Sequence, residues 1–277
     1  MIYLDHHATT PCHPHAAQVM LKMQTENFGN PHSRSHEMGR DAATQLNQAI
    51  QQIADSISAN ASEIICTSGA TEANNLAIKG VMLHPSQRRR RVVTLSTEHP
   101  AVLDPLRAMQ QLEQIDLTIL PVTGQSDQER CGRVDLDQLR DALDDDTALV
   151  SIMWANNEIG VLQPIREIAE ICHHAGALLH CDAAQFVGRS PVDVREIPCD
   201  LLSASAHKFY GPKGAGFLYV RGRPIDATGH HGAPRRVKLM PQIEGGGQQA
   251  NLRSGTMNAP AVVAMASALE YSLSLST

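Results

Sequence analysis

The chain has 277 residues, 42% hydrophobic and 19% charged, with a net charge of −6 at neutral pH. This is the balance of a soluble globular protein with one large or two modest domains, and it disfavours non-specific nucleic-acid binding. No apolar run approaches the roughly 20 residues of a membrane span, and residues 1–7 lack a basic, apolar signal pattern, so a cytoplasmic location is expected.

In chain order, residues 63–67 read as a short buried strand and 71–80 as a helix that Gly80 should stop. A strand over 92–96 follows, then a helix over 101–114 with Val102, Leu106, Met109 and Leu112 at helical spacing, and a strand over 117–122. The series continues with a helix over 136–143, a strand over 148–153, a helix over 165–174, and strands over 177–181, 201–205 and 216–220. Residues 221–245, rich in Gly, His, Pro and Arg, read as an exposed excursion. A last helix opens at Pro260, with Val262, Val263, Ala266 and Leu269 on one side. Strands alternating with crossover helices predict an α/β fold: a three-layer α/β/α sandwich on a mostly parallel sheet, with ligands at the carboxyl ends of the strands. Residues 67–71, 97–99, Asn156-Asn157 and Asp182 all fall at or just after such ends.

Six cysteines without a C-x-x-C pair read as reduced, mostly buried thiols. Fourteen histidines include no H-E-x-x-H helix, so no metal site is predicted. The basic run of four arginines, 88–91, reads as a solvated loop entering a strand.

The chemistry gathers around Lys208, in Ser-Ala-His-Lys-Phe-Tyr-Gly-Pro-Lys-Gly, and Asp182, in His-Cys-Asp-Ala-Ala-Gln. A lysine between a histidine and a glycine-proline turn, with an acid on the preceding strand, suggests pyridoxal phosphate chemistry. That cofactor needs an amine for its aldehyde and a carboxylate for its pyridine nitrogen. Desolvation and nearby positive charge make such lysines reactive. Ser68-Gly69-Ala70-Thr71-Glu72 offers either a phosphate cradle at a helix start or an ordinary capping turn. Ser205 and His207 could place two further phosphate donors around the same ligand, and Gln185 could donate to the ring's phenolic oxygen. His99 reads as either a ring-stacking proton carrier or a cap for the following helix.

These segments, together with residues 3–11, 28–36, 156–160 and 245–256, resemble those of the cysteine desulfurases, fold-type I pyridoxal phosphate enzymes. The likeness runs from residue 2 to about 260 in family order. It implies that Lys208 carries the cofactor and removes the substrate Cα proton, that Asp182 pairs with the pyridine nitrogen and that His99 stacks on the ring. It assigns Gln185 and Asn157 to the ring oxygen and substrate side, and Ala70, Thr71, Ser205 and His207 to the phosphate. Thr256 is expected to reach the phosphate of a neighbouring subunit, making a homodimer with composite sites. Residues 245–247 would form a close-approach loop. The implied reaction converts L-cysteine to L-alanine and a persulfide that feeds a sulfur acceptor, an iron–sulfur scaffold or tRNA thiolation.

By the same resemblance, residues 1–15 form a segment near the site, 16–259 the cofactor-binding large domain, and 260–277 the start of a linking helix to a small domain. The family's nucleophilic cysteine and its carboxylate-clamping arginine lie beyond Thr277, so the chain reads as an incomplete copy, with apolar surface around 260–275 expected to be exposed. Cys181 reads as packing and Cys12 as a weak substitute nucleophile. Residues 248–252 are less charged, and the 221–245 stretch longer, than in many relatives. Selenocysteine lyase, cysteine β-lyase and a non-catalytic partner subunit are the alternatives.

Overall fold

The computed structural model describes residues 2–125, 127–222 and 237–275. Its strands are β1 (Ile64–Thr67), β2 (Arg91–Leu95), β3 (Asp116–Leu120), β4 (Thr147–Ser151), β5 (Leu178–Asp182), β6 (Leu201–Ser205) and β7 (Gly216–Val220). They join in one sheet in the order β1-β7-β6-β5-β4-β2-β3. β7 runs antiparallel to β1 and β6, and every other pairing is parallel. Crossing β7 reverses direction twice, so β1 runs parallel to the other five. Six strands therefore end at one edge, and the predicted ligand segments lie along it.

Helices cover both faces: α1 (Pro14–Thr25), α2 (Glu37–Asp55), α3 (Ala70–Met82), α4 (Pro100–Gln111), α5 (Leu136–Ala142), α6 (Ile165–His174) and α7 (Ala259–Ser274). Strand pleating divides the core. Val92 packs with α3 and α4, while Val93 and Leu95 pack with residues of α2, α6 and α7. β4, β6 and β7 are buried at every position, which explains their continuous apolar sequences. Among the described residues, no helix is long and apolar enough to cross a membrane.

Three expectations are corrected and one region was missed. Gly80 does not stop its helix: α3 continues to Met82, and Gly80 instead permits close packing, because a Cβ there would lie 3.1 Å from Leu239 Cδ2. The helix over 259–274 is mostly covered rather than exposed, since α1 and α2 pack against it and Val262, Met265 and Leu269 are buried, while Leu275 just beyond it is 58% exposed. The stretch over 221–245 is not wholly an exposed excursion. Residues 223–236 lie outside the described residues, but Val237 and Leu239 are buried and Met240 N donates to Gly80 O at 2.8 Å. Finally, α1 and α2 went unpredicted.

The arginine run is a set of individual ties. Arg89 donates to the carbonyls of Thr147, Ala175 and Gly176 at 3.0, 3.3 and 2.8 Å, joining β4 to the end of α6. Arg90 bonds the Glu113 carbonyl and Arg91 pairs with Asp144. Inside the sheet, Ser151 Oγ, His180 and Ser203 Oγ form a chain across β4, β5 and β6 with links of 2.8 and 3.0 Å. Burial pushes the His180 pKa down to about 3, so its ring is neutral.

Candidate active site

The turn after β1 requires glycine. Gly69 has φ 145° and ψ −177°, a conformation that strains any other residue. Gly216, at the start of β7, lies directly against it. A Cβ on Gly216 would sit 2.5 Å from Ala204 O and 2.6 Å from Gly69 Cα. This close approach brings Ala70 and Thr71, at the head of α3, beside the end of β6. Their end of the helix carries the positive pole of the dipole.

Asp182 ends β5 and is 5% exposed. Its Oδ2 accepts from Asn74 Nδ2 at 2.7 Å, and its Oδ1 accepts from Ala184 N at 3.0 Å. Both donors are neutral, and among the described residues no cation reaches it at ion-pair distance. Burial raises its pKa, opposed by those two hydrogen bonds and by nearby His99 and Lys208.

Lys208 follows β6 in a 3-10 turn, Ala206–Lys208. Its Nζ donates to the carbonyls of His7 and Ala8 at 2.5 and 3.1 Å. Partial burial lowers its pKa and Arg189 adds to the effect, against Asp182 and Asp5. His207 Nδ1 bonds Thr9 Oγ1 at 3.1 Å, and burial, Lys208 and Lys213 lower its pKa. His99 is the N-cap of α4, with Nδ1 accepting from Ala101 N at 3.0 Å. The capping reading is thus realised, and it coexists with a place in the cleft.

One cleft of about 760 Å³ collects Ala70, Thr71, His99, Asn157, Asp182, Gln185, Ser205, His207 and Lys208. Gln185 spends its Nε2 on the His7 carbonyl at 2.9 Å. Thr256 is exposed and does not line this cleft within the chain. No cysteine lines it among the described residues. Cys181 is fully buried, and burial together with Cys199 pushes its thiol well above the ordinary range, which leaves it inert.

Two contributors escaped sequence reasoning. Asn74 holds Asp182, and a buried asparagine on the apolar face of α3 was its available signal. Glu98 is buried. Its Oε1 accepts from Met153 N at 2.7 Å, and burial raises its pKa well above the ordinary value, opposed by that hydrogen bond and reinforced by the charge of Asp182. The backbone of residues 7 and 8 meets Lys208, within the N-terminal segment that the resemblance places near the site.

The donor set fits pyridoxal phosphate. A buried carboxylate lacking a cation suits a protonated pyridine nitrogen, an amine of lowered pKa stands in the same cleft, and a glycine turn at a helix start suits the phosphate. Among the described residues, no group of three or more His, Cys, Asp or Glu could hold a metal ion.

Comparison with known proteins identifies the family. The aminotransferase class-V family model matches residues 2–276. Cysteine desulfurase IscS of Rickettsia massiliae (strain Mtu5) is 45% identical over 273 residues, which is 99% of this chain and 62% of that protein. The corresponding protein of Rickettsia bellii (strain OSU 85-389) is 45% identical over 96% of this chain and 61% of its own length. The chain therefore spans about 62% of the length of the curated relatives it matches. Among solved structures, a NifS-like protein superposes with a TM-score of 0.87 at 35% identity, covering 99% of this chain and 70% of that one. SspA in complex with cysteine also gives 0.87 at 35%, covering 98% and 73%. The chain belongs to the class-V aminotransferase family.

Proposed function

We propose that this chain is the cofactor-bearing part of a pyridoxal-phosphate-dependent cysteine desulfurase, acting on L-cysteine and delivering its sulfur to an acceptor protein. The observation that carries the reading is the placement of Lys208 and the cation-less Asp182 in one cleft with a glycine turn at a helix start. The names of the relatives and the cysteine-bound SspA structure support the substrate class.

When bound, pyridoxal phosphate supplies an aldehyde that condenses with amines and a cationic ring that draws electrons from bonds at the substrate α-carbon. Asp182, fixed by Asn74 and Ala184, would hold the ring nitrogen in its protonated form. The lowered pKa of Lys208 raises the fraction of neutral amine, which suits it to accept and return a proton at Nζ. With Nδ1 of His99 accepting from Ala101 N–H, the ring N–H that can face the cleft is the one on Nε2. Ala70, Thr71, Ser205 and His207 would hold the phosphate. Thr256, exposed, remains available for a second copy of the chain in a homodimer.

The test is reduction with borohydride in the presence of pyridoxal phosphate, followed by peptide mapping. The adduct is expected on Lys208 and on no other lysine, and an adduct elsewhere refutes the reading. Assaying alanine against pyruvate from L-cysteine then separates desulfuration from β-elimination.

A further inference from the structure

The first turn of α3 carries a carboxylate where an anion is expected. Glu72 lines the cleft beside Ser68, Gly69, Ala70 and Thr71. Burial pushes its pKa up, but hydrogen bonds from Arg253 and Ser68 outweigh burial and leave it below the ordinary value, so it is ionised. Left unpaired, its charge would repel a phosphate at the head of α3.

Arg253 prevents this. Its Nε donates to Glu72 Oε1 at 2.8 Å and its second guanidinium nitrogen to Oε2 at 3.3 Å, while Oε2 also accepts from Ser68 N at 2.8 Å. The two side chains are 23% and 18% exposed, so solvent screens the pair only partly.

The loop that delivers Arg253 is unusual. Gln249, Ala250 and Asn251 are three successive non-glycine residues in the left-handed region, with φ of 51°, 57° and 63°. Such a turn persists only where its surroundings enforce it. Here the Gln249 amide accepts from Cys66 N at 2.7 Å and donates to Cys66 O at 2.9 Å, pairing with the free edge of β1 as another strand would. Gly255 N donates to Gln248 Oε1 at 2.8 Å. The loop is therefore fastened at β1 and at the head of α3, on either side of the Ser68–Gly69 turn.

We propose that Arg253 is a positioning residue for the cofactor phosphate: by neutralising Glu72 it keeps the head of α3 receptive to a dianion and couples the order of the 245–255 loop to phosphate binding. This rests on the functional reading above, and coupling of this kind is reciprocal. Glu72 is the element that makes the role specific, because Arg253 matters to phosphate only while Glu72 is charged.

The test measures binding of pyridoxal phosphate, pyridoxal and inorganic phosphate to wild type, Arg253→Ala, Glu72→Gln and the double variant. Arg253→Ala should weaken pyridoxal phosphate and inorganic phosphate by roughly tenfold while leaving pyridoxal unchanged. Glu72→Gln alone should bind phosphate at least as tightly as wild type. Adding Glu72→Gln to Arg253→Ala should restore phosphate affinity to within about threefold of wild type. Inorganic phosphate should slow amide exchange over 245–255 in wild type and not in Arg253→Ala. Equal weakening of pyridoxal and pyridoxal phosphate, or no rescue in the double variant, would overturn the proposal and leave a purely structural arginine. If wild type binds inorganic phosphate with the expected Arg253 dependence but carries no adduct on Lys208, the functional reading fails and the coupling stands. If wild type binds none of the three ligands, both fall.

Discussion

Replacing Asp182 with asparagine removes one charge from the dry end of the cleft and keeps the size of the side chain. The new amide oxygen can still accept from Ala184 N. Its nitrogen needs an acceptor, and Asn74 can supply one by turning its own amide, because Asn74 Oδ1 is buried without a partner in wild type. No hydrogen bond is lost and an uncompensated buried charge is gone. On the scale of buried polar groups this is worth about 1–3 kcal/mol. Each 1 kcal/mol moves the melting temperature of a chain of this size by roughly 2–4 °C, so cofactor-free Asp182→Asn should melt several degrees above wild type.

The pH dependence follows from the raised pKa. For a carboxyl raised above its unfolded value of 3.8, the stabilising contribution is complete below that value and is lost as pH climbs through the folded pKa. The advantage of the variant should therefore grow as pH climbs above the unfolded value and vanish in acid. Pyridoxal phosphate should respond in the opposite sense. Losing a hydrogen bond to a charged partner costs about 1.5–3 kcal/mol, or roughly 10- to 150-fold in affinity. Thermal melts of the cofactor-free protein across pH, with cofactor titration of both proteins, test the pair of effects. A lower melting temperature for the variant, or unchanged cofactor affinity, would refute the argument that Asp182 is a buried charge awaiting a cation.

Three further outcomes follow. His180 has its pKa depressed to about 3, so its contribution to stability is complete above the unfolded value of 6.5 and falls by about 1.4 kcal/mol per pH unit below it. His180→Gln, which can bond Ser151 and Ser203 without titrating, should flatten that acid limb in denaturant titrations at pH 5 and 7, and parallel limbs would contradict the assignment. Arg89→Ala should cost about 1–3 kcal/mol by stripping three carbonyls of their donor. Exposed Arg88→Ala should stay within about 0.5 kcal/mol of wild type, and equal losses in the two would show the run to act only through its net charge. Gly216→Ala forces a Cβ into two backbone atoms and should cost about 1–3 kcal/mol together with cofactor affinity. Retention of both would mean that the Gly69–Gly216 approach is not needed.

The sheet was legible because strands buried on both faces have continuous apolar sequences, and because six of the seven end at the edge where Thr67, Asp182 and Ser205 stand. Nine of the expected ligand residues line one cleft for the same reason: each lies within a few positions of a strand end or helix start. Signals failed where packing is read through small residues. The buried positions of α2 include Ala42, Ala49 and Ala54, which carry little hydropathy, and Gly80 is a packing residue that looks like a helix stop. They also failed where partners are remote. Asn74 meets Asp182 across 108 positions and Glu72 meets Arg253 across 181, and no local pattern announces either pair.

The order around Lys208 is likewise not a local property of β6. Thr10 N and Oγ1 both donate to His207 O at 2.9 Å, Tyr210 N donates to Thr10 Oγ1 at 2.8 Å, and His13 N donates to Tyr210 O at 2.8 Å. His13 is the N-cap of α1 and stacks on Tyr271 of α7 at 3.8 Å between ring centroids, and Tyr210 meets the same ring edge-on. The loop that presents the lysine is thus laced to the first residues of the chain, and through them to the helix at residues 259–274. Because α7 is itself buried by α1 and α2, the layer that shields the apolar face of the sheet also fixes the backbone from which the amine projects. Covering that face and shaping the cleft are one packing problem, solved by α1, α7 and the segment that precedes α1.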